Sequence, residues 1–372
     1  MLTGRETQPI HIAIVAPTLR ILGGQAVQAE RQVRAWRNDP EVHAWLVPVN
    51  PAPPGPLAKA VDIKYARTIA VQLTYWPLLL KQLRRADVVH VFSASYFSFL
   101  LAPLPAVLIA RFLGKPVIMN YRSGEAPDHL RGSAIARAVL KRVDANAVPS
   151  RFLREVLAGF GVPAEIVPNV VDVERFAFRR RVPLRPRILS TRNFEHLYNV
   201  SCTLRAFQLI QQRYPDATLT LVGGGSEDIA LRALARSLGL RNVMFAGRVP
   251  PDQIWRYYAD ADIYLQTPDI DNMPASVLEA FATGCVVVST DAGGVPAILS
   301  HDVHGLLVPC GDHESAAREV IRVLEDPKLA ERLALAARES CEKYRWENVR
   351  AQWLTLYRSV ARTSAVPAHN PA

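Results

Sequence analysis

Short, unbroken apolar runs of strand length recur along the chain, each followed by a turn signal and then by a stretch with helical spacing. The first is Ile10 to Ala16, followed by Gly23-Gly24 and an amphipathic segment from Gln25 to Trp36. Strand-like runs continue at Ala44 to Val49, Val88 to Phe92, Pro116 to Tyr121 and Ala145 to Val148, with helical patterns at Leu73 to Arg85 and Pro105 to Leu113. Ala164 to Val167 closes this set. A second set predicts strands at Ile188 to Ser190, Thr218 to Val222, Val243 to Phe245, Ile263 to Gln266, Val286 to Ser289 and Gly305 to Val308. Its helices are predicted at Ser201 to Arg213, Ser226 to Leu238, Asp252 to Tyr258, Pro274 to Ala282, Pro296 to Leu299 and Glu314 to Glu325. Strand and helix alternating in this way imply an α/β fold of parallel sheets joined by crossover helices.

At 372 residues the chain is long for one core, and Val170 to Pro186, rich in Arg and Pro and without periodicity, marks a boundary. The expected division is a Rossmann-like domain over residues 1–168, a linker over 169–187, a second Rossmann-like domain over 188–344, and a helix and tail over 345–372. Cys202, Cys285, Cys310 and Cys341 are widely spaced and match no zinc or redox pattern, so buried free thiols in a cytoplasmic protein are expected. Met1 to Pro9 has no apolar signal region, and Phe97 to Ala110, broken by Pro103 and Pro105, falls short of the roughly 20 residues that span a bilayer.

Charge changes the picture. Residues 1–168 hold 20 Lys or Arg against 11 Asp or Glu, residues 169–187 six against two, and the remainder 18 against 21. A basic first half favours an anionic partner: phospholipid headgroups on the inner face of the cell membrane, a lipid-linked pyrophosphate, or nucleic acid. Nucleic acid is the least expected, since no recognition motif or aromatic-basic platform is present. Leu130 to Val143, with Arg131, Arg137, Lys141 and Arg142 among apolar residues, has the make-up of a membrane-surface helix, a solvated helix face being the plain alternative.

The densest chemistry lies between Asp271 and Glu279, two carboxylates bracketing a helix start marked by Pro274. The first-turn amides between them, at Ala275 and Ser276, suit phosphate oxygens. Arg192 follows the strand ending at Ser190, at the edge where open α/β sheets bind ligands; a guanidinium there can pair with a phosphate, or with nearby Glu195.

In the order and spacing of these pieces the chain resembles the retaining glycosyltransferases of family 4. The resemblance covers nearly the whole chain and is strongest from Ala217 to Pro309, with weaker markers at Gly23-Gly24, Pro168 to Asp172 and Arg192. It implies the GT-B architecture, two Rossmann-like domains facing a central cleft, with the last helix, around Trp346 to Val360, crossing back to the first domain. It also implies a nucleotide-diphosphate sugar as co-substrate, no metal or other cofactor, and a glycan or lipid-linked acceptor. By resemblance Glu279 binds the ribose, while Asp271 and the amides of Asn272 and Met273 hold the donor sugar. Arg192 neutralises the leaving diphosphate, and Gly23, Gly24, Gly223, Gly247 and Arg248 border the donor. The family's second diphosphate cation, a Lys, is replaced by Tyr198. Arg122 is the favoured compensating cation, ahead of His196 and Arg205. In the loop Tyr121 to His129, Glu125, Asp128 and His129 are candidates for acceptor binding or proton handling. A protein of this shape that binds nucleotide sugars without turning them over is the rival expectation.

Overall fold

The computed structural model describes residues 8–20, 23–55 and 63–365, apart from the side chains of Lys64 and of residues 363–365. They form two compact units: one runs to Val167 and takes in the chain again from Arg350, and the other is Pro168–Val349.

In the first unit the order is β1 (Ile10–Ala16), α1 (Gly24–Ala35), β2 (Val42–Pro48), α2 (Lys64–Leu83), β3 (Val88–Phe92), α3 (Tyr96–Leu101), α4 (Pro103–Phe112), β4 (Val117–Asn120), α5 (Ala126–Gly132), α6 (Ala134–Leu140), β5 (Ala145–Val148), α7 (Arg151–Gly159) and β6 (Glu165–Ile166). The strands make one parallel sheet in the order β2-β1-β3-β4-β5-β6. All five residues of β3 are buried, as a strand covered by helices on both faces requires. From Arg350 onward the chain is helical, part of α14 (Trp346–Ala365), and packs here. Arg350 meets Asp39 at 2.5 Å and Glu41 at 2.7 Å. Tyr357 Oη lies 2.8 Å from Nδ1 of the fully buried His90, whose Nε2 faces the Asn120 amide at 3.0 Å.

The second unit comprises β7 (Arg187–Ser190), α8 (Val200–Arg213), β8 (Thr218–Val222), α9 (Asp228–Ser237), β9 (Val243–Gly247), α10 (Trp255–Asp260), β10 (Ile263–Gln266), α11 (Ala275–Thr283), β11 (Val286–Thr290), β12 (Leu306–Val308), α12 (His313–Glu325) and α13 (Pro327–Ser340). Its parallel sheet has the order β12-β11-β10-β7-β8-β9. The chain thus builds outward from β7 in one direction, returns, and builds outward in the other. β7 and β10 are neighbours at that reversal, with Leu189 opposite Tyr264.

Most predicted elements are present within a few residues, but four readings need correction. The helix expected from Leu130 to Val143 is broken at Ser133, whose hydroxyl caps α6 through the Ala136 amide. Arg137 is spent there on the carbonyls of Leu130 and Arg131. The helix expected from Leu73 begins at Lys64 and passes through Pro77. Helices α3, α7 and α13 were not foreseen. Cys310 is exposed, whereas the other three cysteines are buried.

The stretch read as a linker groups with the second unit, and three of its six arginines converge on one carboxylate. Asp262, fully buried, gathers Arg179 at 2.5 Å, Arg185 at 3.1 Å and Arg181 at 3.6 Å. Arg181 also donates to the carbonyls of Tyr258, Ala261 and Thr283, closing the C-terminal ends of α10 and α11. Half of the arginines in this stretch are thus paired with Asp262, Arg181 alone among the six being buried.

Candidate functional site

Ligands in open parallel sheets sit beyond the C-terminal ends of the strands where the order reverses. In the second unit that point lies between β7 and β10. From β7 the chain reaches Arg192, and from β10 it reaches Asp271 and then α11. Arg192 is 9% exposed. Its Nη2 lies 2.8 Å from Asp271 Oδ2, its Nη1 donates to Ser276 Oγ at 3.2 Å, and its guanidinium carbon sits 4.0 Å from the Tyr198 ring centroid. Burial would lower its basicity, yet Asp271 and the phenols of Tyr198, Tyr264 and Tyr258 hold it above the ordinary arginine value. Burial pushes the Asp271 carboxyl up, against the pull of Arg192 and the Asn272 amide. Arg192 pairs with Asp271 and not with Glu195, which instead accepts from the Ser226 hydroxyl at 2.6 Å.

Arg192 Nε and Asp271 Oδ2 are buried without a hydrogen-bond partner, the ion pair being close but not aligned as a hydrogen bond. A buried donor and a buried acceptor left unfilled side by side fit a ligand carrying both phosphate oxygens and hydroxyls.

The Tyr198 ring is held by its own turn. The 3₁₀ segment His196–Tyr198 ends in Asn199, whose left-handed backbone (φ 42°) starts α8 and whose Oδ1 accepts from the Cys202 amide at 3.2 Å. Asn199 Nδ2 donates to both Asp269 oxygens, and the amides of Asp269 and Ile270 donate back to Leu197 O at 3.0 and 3.2 Å. The turn carrying Tyr198 is thereby laced to the segment that leads into Asp271.

Helix α11 starts after Pro274, and Ser276 to Thr283 are all buried. Glu279 is 6% exposed on this apolar helix and faces Tyr258, whose phenol is kept protonated by burial first and by the Glu279 charge second. Tyr258 Oη bonds Thr191 Oγ1 at 2.7 Å and donates to Ser276 O at 3.2 Å. Beneath lies Gln266, fully buried, accepting from Tyr264 at 3.3 Å and donating to Ser289 at 3.0 Å. The sequence reading missed Thr191, Tyr258, Tyr264 and Gln266; the available signal was a Gln ending an otherwise apolar run. It also gave no role to Asn169, which donates to Met273 O at 2.7 Å and fixes the loop before α11.

One expected donor is already engaged. The Asn272 amide, expected to meet the sugar, donates at 2.8 Å to Asp271 Oδ1. An Asp, shorter than Glu, folds back onto the next amide. The glycines serve close approach of backbone: a Cβ on Gly223 would strike Arg192 O, one on Gly225 would strike Phe194 O, and one on Gly294 would strike Asn272 O. Gly247 takes φ 71° where the β8–β9 register shifts, and Arg248, exposed, lies over Gly224.

Two family profiles match the chain: Glycosyltransferase Family 4 over residues 22–175 and Glycosyl transferases group 1 over residues 174–340. The chain belongs to the family 4 glycosyltransferases. It is 25% identical over 315 residues to a sulfoquinovosyl transferase of Arabidopsis thaliana, covering 78% of this chain and 60% of that protein. It is 26% identical over 322 residues to a phosphatidyl-myo-inositol mannosyltransferase of Mycolicibacterium smegmatis, covering 82% and 80%. Of the first three curated relatives the chain spans 60%, 50% and 44% of the length. In fold it is similar to Anabaena HepE, solved in complex with UDP-glucose, with a TM-score of 0.75 at 16% identity over 94% of this chain and all of that one. Its fold is that of the GT-B glycosyltransferases.

Most of the remaining candidates lie in the first unit. Gly23 precedes α1 in extended backbone, with open space around it and Gly24. Arg122 follows β4; its guanidinium donates to Asn120 Oδ1 at 3.3 Å, lies 5.1 Å from the Phe92 ring centroid, and burial lowers its pKa to about 10. Glu125, half-buried, precedes α5. His129 is on α5, 2% exposed, 2.7 Å from Tyr121 Oη, with burial lowering its basicity. His196, in its turn, and Arg205, on α8, are both exposed. Among the described residues no group of three His, Cys, Asp or Glu could hold a metal.

Proposed function

We propose that this protein transfers a sugar from a nucleoside-diphosphate donor to an anionic or lipid-linked acceptor, with retention of anomeric configuration and without a metal ion. The supporting observation is the buried Arg192, Asp271 and Ser276 cluster at the strand-order reversal, with Arg192 Nε and Asp271 Oδ2 unfilled. Arg192 pairs with the diphosphate and neutralises the charge that builds as it leaves. The Ala275 and Ser276 amides, ahead of the first intrahelical bond of α11, receive phosphate oxygens. Glu279, a buried carboxylate on an apolar helix, accepts from the ribose hydroxyls. Asp271 and the Met273 amide hold the donor sugar, and donor binding draws Arg192 from Asp271 to the phosphate. Tyr198 keeps the guanidinium plane in place by stacking, and Arg122 supplies the second positive charge that Tyr198 lacks.

In the retaining step the acceptor oxygen bonds to the anomeric carbon on the face from which the nucleoside diphosphate departs. The acceptor proton passes to the departing phosphate oxygen. No side chain acts as a nucleophile. The phosphatidyl-myo-inositol acceptor in the name of one relative supports a lipid-linked acceptor, and the UDP-glucose complex of HepE supports the donor class. A cytoplasmic location, peripheral on the inner face of the membrane, accords with that acceptor.

Thermal-shift titration with a panel of nucleotide sugars tests the donor, since a ligand raises apparent stability by mass action. Product NMR then reads the anomeric configuration, and chelator-insensitive turnover is expected. Glu279→Ala should weaken binding of the nucleoside diphosphate; unchanged UDP, GDP and ADP affinities would remove its ribose role. Arg122→Ala should depress turnover, and normal kinetics would reject its compensating role. The second reading, a protein that binds donors without turning them over, draws on the neutral Tyr198 and on Arg192 being held by Asp271. Nucleotide sugars that bind but release no nucleoside diphosphate with any acceptor would favour it.

A further inference from the structure

We propose that Asn120 and His90 are positioning residues for Arg122, holding its guanidinium through a one-way chain of hydrogen bonds that begins on the last helix. The inference rests on the reading of Arg122 as the second cation of the transfer, and adds how the first unit keeps that cation in place.

Strand register brings the parts together. His90 and Phe92 alternate along β3, while Asn120 ends β4 with Arg122 two residues on, so each pair emerges on one face. Pairing of the strands sets Phe92 opposite Asn120. On this face the His90 ring lies 5.2 Å from that of Phe92, centroid to centroid, and Trp353 of α14 covers it at 4.5 Å. His90, Asn120 and Tyr357 are all 0% exposed, where a polar atom left without a partner costs about 1–3 kcal/mol.

The chemistry of Arg122 fixes the sense of every bond in the chain. A guanidinium has donors only, so the Asn120 atom 3.3 Å from its Nη1 is the carbonyl oxygen. Asn120 Nδ2 is then the donor that faces His90, 3.0 Å from Nε2, and Nε2 accepts. A neutral imidazole that accepts at Nε2 carries its proton on Nδ1, which donates to Tyr357 Oη at 2.8 Å. Gln32 Nε2, on α1, donates to the same oxygen at 3.2 Å. Burial first and the Arg122 charge second take the His90 pKa down to about 3, so the ring stays neutral and the chain keeps its direction. In the other tautomer Nε2–H would turn the Asn120 amide over, and an overturned amide presents N–H to the guanidinium. The tautomer of His90 and the seat of Arg122 are therefore one state.

The main chain of Arg122 is tied separately, its amide donating to Ser93 Oγ at 3.0 Å. Loss of the Asn120 carbonyl thus frees the side chain and leaves the backbone held. The Asn120 carbonyl also adds no negative charge, in contrast to Asp271 at Arg192.

Two measurements on the full chain test the proposal. Nitrogen NMR of the imidazoles, with the His90 signal assigned by its loss in His90→Gln, should show Nδ1 protonated and Nε2 bare; an Nε2–H tautomer overturns the proposal. Release of nucleoside diphosphate from UDP-glucose, GDP-mannose and ADP-glucose gives the second readout. Asn120→Leu and His90→Leu should lower kcat roughly 10- to 100-fold with little change in KM, as misplacement of a group used in the transition state does. His90→Gln keeps an acceptor toward Asn120 and should recover most of that rate. Added to Arg122→Ala, Asn120→Leu should bring no further loss, because it acts through the guanidinium, whereas a general packing defect lowers kcat in both backgrounds. Additive losses, or a normal kcat in Asn120→Leu beside an impaired Arg122→Ala, overturn the proposal alone. Normal kinetics in Arg122→Ala, or a wild type that turns over none of the three donors, removes the reading of Arg122 and this proposal with it.

Discussion

Asp262→Ala removes the carboxylate on which three arginines converge, and the structure ranks their losses. The side chains of Arg179 and Arg185 are 38% and 46% exposed, so water takes over when the carboxylate goes. That of Arg181 is 1% exposed and cannot be resolvated. Removing one partner of a buried ion pair costs about 3–5 kcal/mol, because the other charge is left uncompensated. Arg181 keeps its bonds to the carbonyls of Arg179, Tyr258, Ala261 and Thr283, which places the cost near the lower end, about 3 kcal/mol. Against a total stability of about 5–15 kcal/mol, that is a large shift in the urea midpoint of the second unit's transition. Arg179→Ala and Arg185→Ala should each cost no more than about 1 kcal/mol. Urea unfolding followed by far-ultraviolet circular dichroism measures all three. If Asp262→Ala falls within about 1 kcal/mol of wild type, or equals Arg179→Ala, then Arg181 does not depend on the carboxylate and the hub has been misread.

Tyr198→Leu removes a stack on a largely buried guanidinium, worth about 1–2 kcal/mol, so donor affinity should fall roughly 5- to 30-fold while Tyr198→Phe stays near wild type. Equal donor titrations for the Leu variant and wild type would show the stack to be idle. His90 is fully buried, and burial takes its pKa to about 3, below the unfolded value of 6.5. Its contribution is therefore present above pH 6.5 and is lost as pH falls toward 3, at up to about 1.4 kcal/mol per pH unit. Between pH 6.5 and 5 wild type should lose about 2 kcal/mol more than His90→Gln in urea titrations, and parallel curves would refute it. Gly294→Ala drives a methyl into Asn272 O and should displace the Asp271 segment, costing about 1–3 kcal/mol in melting studies together with donor affinity; a variant neutral in both would mean that the loop yields freely.

The strands were legible in the sequence because a parallel strand covered on both faces shows as an unbroken apolar run, and that pattern is local. Glu279 stood out for a similar reason, as a charge within apolar neighbours on a helix. The break at Ser133 was not legible: its hydroxyl competes for the α6 amides, and a hydrophobicity pattern that reads only spacing passes over it. Gln266 and Asn169 were passed over because a buried amide has meaning only once its partners are known, and these come from other elements.

The sequence by itself determined the α/β alternation, the two sets of strands, the family resemblance and the identity of Arg192, Asp271 and Glu279 as the residues to watch. Only the tertiary structure decided which groups these residues meet. Strand order places β7 beside β10, and that adjacency delivers Arg192 to Asp271 and not to its near neighbour Glu195. The same folding gathers three arginines of an apparent basic linker onto the buried Asp262. The reason is physical: propensity and periodicity act between residues close in the chain, whereas burial and charge pairing act between residues close in space, and only the folded sheet brings the second set together.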